Sequence, residues 1–230
     1  MTHGIIIKNA NRETQIDGNY KNLGLYESGS NITISNDGTD SGYNTLVSFS
    51  VATPLIPLIL VQPNTDYHII YDSYIKSGAN YSGFYLSTKN NQSTVINWKC
   101  YTGHPVASSE NYGLRIKNPQ GDLVFDSGKN YFKIHSVHSF SLPGQSDTYT
   151  ITHNDLENPY YLLTPSGIWN TILVPGPPTW IHAVYRVGII KINSTSAQAA
   201  WVGQLSYSVG GPGGTGSWIP THTVLVCDVI

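Results

Sequence analysis

Gly4-Ile5-Ile6-Ile7-Lys8-Asn9-Ala10-Asn11-Arg12-Glu13-Thr14-Gln15-Ile16-Asp17 opens the chain, and Gly113-Leu114-Arg115-Ile116-Lys117-Asn118-Pro119-Gln120-Gly121-Asp122-Leu123-Val124-Phe125-Asp126 follows it at an offset of 109 residues. Five of the 14 positions are identical: Gly, Ile, Lys, Asn and the closing Asp. In each stretch a short β-prone run meets a turn-forming cluster, Asn9-Ala10-Asn11-Arg12 or Asn118-Pro119-Gln120-Gly121, and then resumes as a second run. That order predicts a β-hairpin at both places, with Asp17-Gly18 and Asp126-Ser127-Gly128 breaking the second strand. A period of 109 residues is that of a duplicated domain, whereas solenoid units run to roughly 20–50 residues.

Further landmarks recur in the same order. Leu58-Ile59-Leu60-Val61-Gln62-Pro63 resembles Tyr160-Tyr161-Leu162-Leu163-Thr164-Pro165, an apolar strand running into Pro, at an offset of 102. Residues 84–86 and 94–98, around a polar cluster, read as a hairpin similar to 189–192 and 199–202, at an offset of 105. No window of a dozen residues keeps the apolar spacing of a helix, while strand-like runs separated by Gly, Pro, Asn and Asp clusters fill the chain. The expected fold is all-β: two tandem antiparallel β-sandwich domains related by an internal duplication. Residues 1–105 form the degenerate copy and 110–230 the second, joined by a small polar linker near 102–111.

Composition narrows the function classes. Only 11% of the 230 residues are charged, against about 25% in an average globular protein. Ser, Thr, Asn, Gly and Tyr fill the deficit, as is usual for extracellular or virion surfaces. The net charge of −2 and the absence of a Lys/Arg cluster argue against a nucleic-acid partner. The longest apolar run, 54–61, is too short to span a bilayer and carries two prolines. Met1-Thr2-His3-Gly4 leads straight into a strand, so a soluble protein made without export is expected.

Catalytic signatures are missing: no nucleophile elbow, phosphate loop or zinc-protease helix is present. No enzyme activity and no cofactor are expected. His135 and His138 lie three apart, on opposite faces of a regular strand, and chelate one ion only if the strand bulges. His153, His182 and His222 are isolated in sequence, so no metal site is expected. Residues 36–40 superficially resemble a calcium loop but lack its alternating ligands and late Glu. Asp17 and Asp126 recur as a pair of carboxylates, and turn capping accounts for both. Cys100 and Cys227 sit in β-like apolar segments and read as buried free thiols in similar closing strands.

The better lead is aromatic: 16 Tyr and 5 Trp, offering either core packing or a surface for protein contact or sugar stacking. The Gly-rich hairpin loop 209–218 is either a passive connector or a contact element, with Trp218 as an anchor beside Gly213 and Gly214. Trp169 and Trp180, flanking the 175–178 turn, and Tyr160 and Tyr161 complete the candidate contact residues.

The segment Tyr112-Gly113-Leu114-Arg115-Ile116-Lys117-Asn118-Pro119-Gln120-Gly121-Asp122-Leu123-Val124-Phe125-Asp126-Ser127 resembles the start of tail-tip and fibre-associated (baseplate) structural proteins of long-tailed bacteriophages. Those commonly open Tyr-Gly-Leu-x-Ile/Val-x-Asn-x-x-Gly and continue into a strand ending Phe/Leu-Asp-Ser. The resemblance covers the second half better than the first, which departs at Arg12, where the pattern has Gly, and at Gln15-Ile16-Asp17-Gly18. It implies a non-enzymatic virion structural protein, made in the host cytoplasm and placed at the distal tail. Its partners would be other phage tail proteins in a symmetric homo-oligomer, with a host-surface receptor or glycan as a further partner. The alternative is a carbohydrate-binding, lectin-like receptor-recognition module.

Overall fold

The computed structural model describes residues 6–8, 14–17, 23–30, 44–65, 68–88, 95–103, 107–142, 146–154, 156–163, 167–173, 179–209 and 221–228. In the first half of the chain the strands are β1 (Ile6–Lys8), β2 (Thr14–Asp17), β3 (Gly24–Gly29), β4 (Asn44–Thr53), β5 (Leu58–Gln62), β6 (Ile69–Ser77), β7 (Asn80–Thr88) and β8 (Asn97–Thr102). The second half adds β9 (Arg115–Lys117), β10 (Leu123–Asp126), β11 (Lys133–Ser141), β12 (Thr148–Thr152) and β13 (Tyr160–Leu163). It ends with β14 (Gly167–Leu173), β15 (Thr179–Asn193), β16 (Ser196–Val209) and β17 (Thr221–Asp228). The protein is all-β: no helix occurs among the described residues, and every strand pairing there is antiparallel.

Both copies of the repeated stretch are hairpins, and their registers coincide. Ile6 faces Asp17, Ile7 faces Ile16 and Lys8 faces Thr14. At an offset of 109, Arg115 faces Asp126, Ile116 faces Phe125 and Lys117 faces Leu123. The register slips at the same step in each, so Gln15 and Val124 are the extra residues of equivalent bulges. In the second copy, Gly121 closes the turn at φ +86°, a conformation that favours Gly.

Two larger sheets carry the rest. One has the order β11-β17-β13-β5-β8-β3; the other has the order β12-β16-β15-β6-β7-β4, with β14 added onto β15. The halves meet at a seam inside both sheets. β13 pairs with β5 (Tyr161 opposite Val61, Leu162 opposite Leu60), and β15 pairs with β6 (Ile189 opposite Ile69). Counting outward from the seam, the first half runs β5-β8-β3 and β6-β7-β4 while the second runs β13-β17-β11 and β15-β16-β12. The strands thus appear in the same chain order on either side.

One expected hairpin is not formed. Residues 84–98 read as a single hairpin, yet β7 lies in one sheet and β8 in the other. An apolar run, a polar cluster and a second apolar run describe a turn within a sheet and an arch between sheets equally well. The true partners are β6 with β7, and β15 with β16.

Strand alternation explains where the apolar side chains go. Ile59 and Val61 of β5, Tyr161 of β13, Trp98 and Cys100 of β8, and Val224 and Val226 of β17 point into the main core, shared with Phe84 and Leu86 of β7 and Ile189 of β15. At its centre Trp98 meets Phe84 edge-on at 5.2 Å and lies 6.4 Å from Phe49. The alternate residues of the same strands, Leu58, Leu60, Tyr160, Leu162, Tyr101, Leu225 and Cys227, gather with Leu23, Leu25 and Phe132 in a second cluster on the other face. Strands buried on both faces read as unbroken apolar runs, which accounts for Leu58-Ile59-Leu60-Val61 and Val224-Leu225-Val226-Cys227.

That second face is enclosed because the six-stranded sheet rolls up. Gly24 of β3 bridges Tyr131; the Leu25 amide donates to the Asn130 carbonyl at 2.9 Å and the Phe132 amide to the Leu23 carbonyl at 3.0 Å. The next residue, Lys133, begins β11 at the far end of the sheet. The first and last strands are therefore joined through residues 130–132.

Candidate functional site

His153 follows directly on β12. Its amide donates to the Thr195 carbonyl at 2.9 Å, and its carbonyl accepts from the Leu156 amide at 3.2 Å. The backbone is thus pinned on both sides, and the side chain is only 2% exposed. It lines a small, partly open pocket together with Gln62, Pro63, Pro159, Tyr161 and Lys191. The pocket lies at the seam: Gln62 and Pro63 come from the end of β5 and the other four residues from the second half. The Lys191 amide donates to the Asn64 carbonyl at 2.8 Å and ties the two halves together beside it.

Neither ring nitrogen of His153 has a hydrogen-bond partner. Leaving a buried polar group unsatisfied costs about 1–3 kcal/mol. The ring stands edge-on to Tyr161, centroids 5.9 Å apart. Burial lowers the His153 pKa; the backbone at His153 and Leu156 opposes this without reaching hydrogen-bond geometry, and the positive charges of Lys191 and His135 lower it further. His153 is therefore a neutral imidazole near pH 7, able to donate at one nitrogen and accept at the other. Gln62 Oε1 accepts from Asn97 Nδ2 at 2.7 Å, which leaves the Gln62 amide nitrogen as a donor. Among the described residues that line the pocket none is a carboxylate, Ser or Cys. The arrangement is suited to holding a ligand group, and the described residues bring no nucleophile–base pair together there.

Aromatic side chains gather beside Pro57, the proline of the first half that matches Pro159. Pro57 and Pro159 each precede the seam strands β5 and β13 by one residue. Beside Pro57, the Tyr74 hydroxyl donates to its carbonyl at 2.5 Å, and Tyr74 packs edge-on against Tyr81 at 5.3 Å. Tyr81 stands one residue into β7. Ala197 stands one residue into β16, where it faces Lys191.

The expected contact residues are distributed as follows. Trp218, Gly213 and Gly214 lie outside the described residues, as does the 36–40 loop. Trp169 faces Val184 in the β14–β15 pairing and Trp180 faces Ser208 in the β15–β16 pairing. Tyr161 is buried in the main core and lines the seam pocket. Tyr160 is half-buried in the second cluster, with the Lys99 ammonium 4.9 Å from its ring centre.

Cys100 and Cys227 are both free and buried, in β8 and β17, which occupy matching places in the six-stranded sheet. They face opposite ways, Cys100 into the main core and Cys227 into the second cluster. The register of β11 slips between Ile134 and Ser136, and the Ser136 hydroxyl lies 3.0 Å from His138 Nε2. Among the described residues no group of three or more His, Cys, Asp or Glu is placed to hold a metal ion.

Asp126 does more than cap a turn. Its carboxylate is 2% exposed and accepts from the Ser108 amide (2.8 Å), the Gly128 amide (2.9 Å), the Ser108 hydroxyl and Arg115 Nε (3.0 Å). Burial alone would raise its pKa. The Ser108 and Gly128 amides, the Ser108 hydroxyl and Arg115 outweigh this and bring it to about 2. In the first copy Ile6 stands where Arg115 does, so that ion pair is particular to the second.

His153 carries no local sequence signal as a site residue. Gln62 lies 91 residues before it and Lys191 38 residues after it, and only the seam pairing brings them together. No helix of the described residues is long and apolar enough to cross a membrane. Comparison with known proteins finds no matching family model, no matching curated protein and no matching solved structure.

Proposed function

We propose that this chain is a structural protein of a bacteriophage tail tip or baseplate, serving tail assembly and host adsorption without catalysis. The observation that carries the reading is the Tyr112–Ser127 segment. It resembles the opening of such proteins, it folds as a hairpin, and residues 6–17 repeat its register and bulge. The low charge and the antiparallel all-β build are in keeping with a virion component. The finer architecture belongs to the same proposal: two sandwich units descended from one duplicated ancestor, supported by the shared strand order on either side of the seam. In this reading the protein works as a symmetric homo-oligomer among other tail proteins, and residues 209–218 of the second half supply a contact loop.

Particles purified from the cells that encode the chain provide the test. Mass spectrometry should find the protein in the particle fraction, and antibodies should label the distal end of tails by electron microscopy. Light scattering of the purified protein should give a closed oligomer. Tails that lack the protein, combined with saturable binding of the free protein to host-surface glycans, would replace this reading with the lectin-like alternative.

A further inference from the structure

We propose that the seam pocket is a binding site for a small anion, a carboxylate or inorganic oxyanion held between His153 and Lys191. This goes beyond the tail-protein reading and does not depend on it. Two observations carry it. His153 is nearly sealed from solvent, yet both its ring nitrogens are unpartnered. Such groups in folded proteins ordinarily find a partner, in protein, water or ligand. Residues able to donate dominate the lining: His153, Lys191 and Gln62 all border the space, and no carboxylate does among the described residues.

The electrostatics favour the same ligand class. Among the described residues, the Lys191 ammonium of β15 acts on the His153 ring with the sign that attracts an anion. A hard divalent cation would meet the Lys191 charge and find no carboxylate ligand among the described lining residues. A neutral imidazole can donate one hydrogen bond to a bound oxygen while the ammonium supplies a charge-assisted one. The pocket is small, so the fitting group is a formate- or phosphate-sized head rather than a whole sugar.

The test follows the histidine ring directly. Long-range proton–nitrogen spectra of the full-length, nitrogen-labelled protein are recorded while formate or inorganic phosphate is added at constant ionic strength. The His153 ring signals are expected to shift and saturate with at least one of the two anions. Formate alone would identify a carboxylate site, and phosphate an oxyanion site. Lys191→Met should weaken binding at least about tenfold, the loss of one charge-assisted contact. His153→Phe, which keeps an aromatic ring packed against Tyr161, should abolish the saturable amide shifts that the anion produces at Lys191 and its neighbours, while the remaining amide spectrum reports that the fold is intact. Shifts that stay linear in anion concentration would overturn the proposal, leaving water as the occupant. So would saturable binding that survives His153→Phe, or affinity unchanged in Lys191→Met; the latter decides the matter if the His153 variant does not fold.

Discussion

Replacing Leu60 by Ala tests whether the six-stranded sheet is rolled up. Leu60 lies at the seam, opposite Lys99 of β8 and Leu162 of β13, and its side chain is 0% exposed on the face that points away from the main core. On an open sheet that face would meet water, and trimming a half-wetted leucine would cost about 1 kcal/mol. Enclosed with Tyr101 and Cys227, the missing carbons leave a cavity that rigid neighbours fill poorly. Leu→Ala at buried sites costs about 2–5 kcal/mol, and full enclosure places this one at about 3–4 kcal/mol. That is a large share of the roughly 5–15 kcal/mol by which a domain is usually stable. Urea titrations of both proteins, followed by tryptophan fluorescence and by far-ultraviolet circular dichroism, measure the difference. The midpoint should fall with an unchanged slope, and the two probes should coincide because the sheets run through both halves. A loss below about 1 kcal/mol would refute the enclosure. Two separate transitions would refute the seam.

Other expectations follow from single contacts. A Cβ on Gly83 would stand 2.2 Å from the Val47 carbonyl oxygen, so Gly83→Ala should cost about 3 kcal/mol or more in urea titration by prying β4 from β7. The Asp126 carboxyl sits at about 2 rather than 3.8, so its contribution is complete above about pH 5 and fades as pH falls towards 2. Asp126→Asn should flatten the acid limb of amide-exchange protection over residues 113–128. Burial raises the Cys227 pKa to about 12 and moves that of Cys100 further up, so thiol reagents should label both only as fast as the protein opens. Fast labelling in native buffer would contradict their burial.

Much of the secondary structure was legible because its signals are local. The repeated stretch carries its own turn residues and alternation, and both copies are hairpins in one register. The matching places of Cys100 and Cys227 were also readable, since each lies in an apolar run near the end of its half. Pairing across the chain was not. β5 and β13 join through backbone hydrogen bonds that any sequence of suitable polarity can make, and nothing near Leu58 or Tyr160 names its partner. For the same reason residues 84–98 looked like a hairpin. Asp126 read as a turn former because its neighbours form a turn, while Ser108 and Arg115, 18 and 11 residues away, were invisible as ligands to its carboxylate. His153 looked unremarkable because its surroundings are assembled from both halves.

The junction between Gly24 and Tyr131 spans 107 residues of chain and has a consequence for biosynthesis. Contacts so far apart in sequence form late and slow folding. As the polypeptide leaves the ribosome, β3 to β8 emerge with the seam edges of β5 and β6 bare, and they stay bare until β13 and β15 have been made. Exposed strand edges are templates for intermolecular pairing. The nascent first half is therefore the species most exposed to aggregation, and its natural protector is the second half of the same chain.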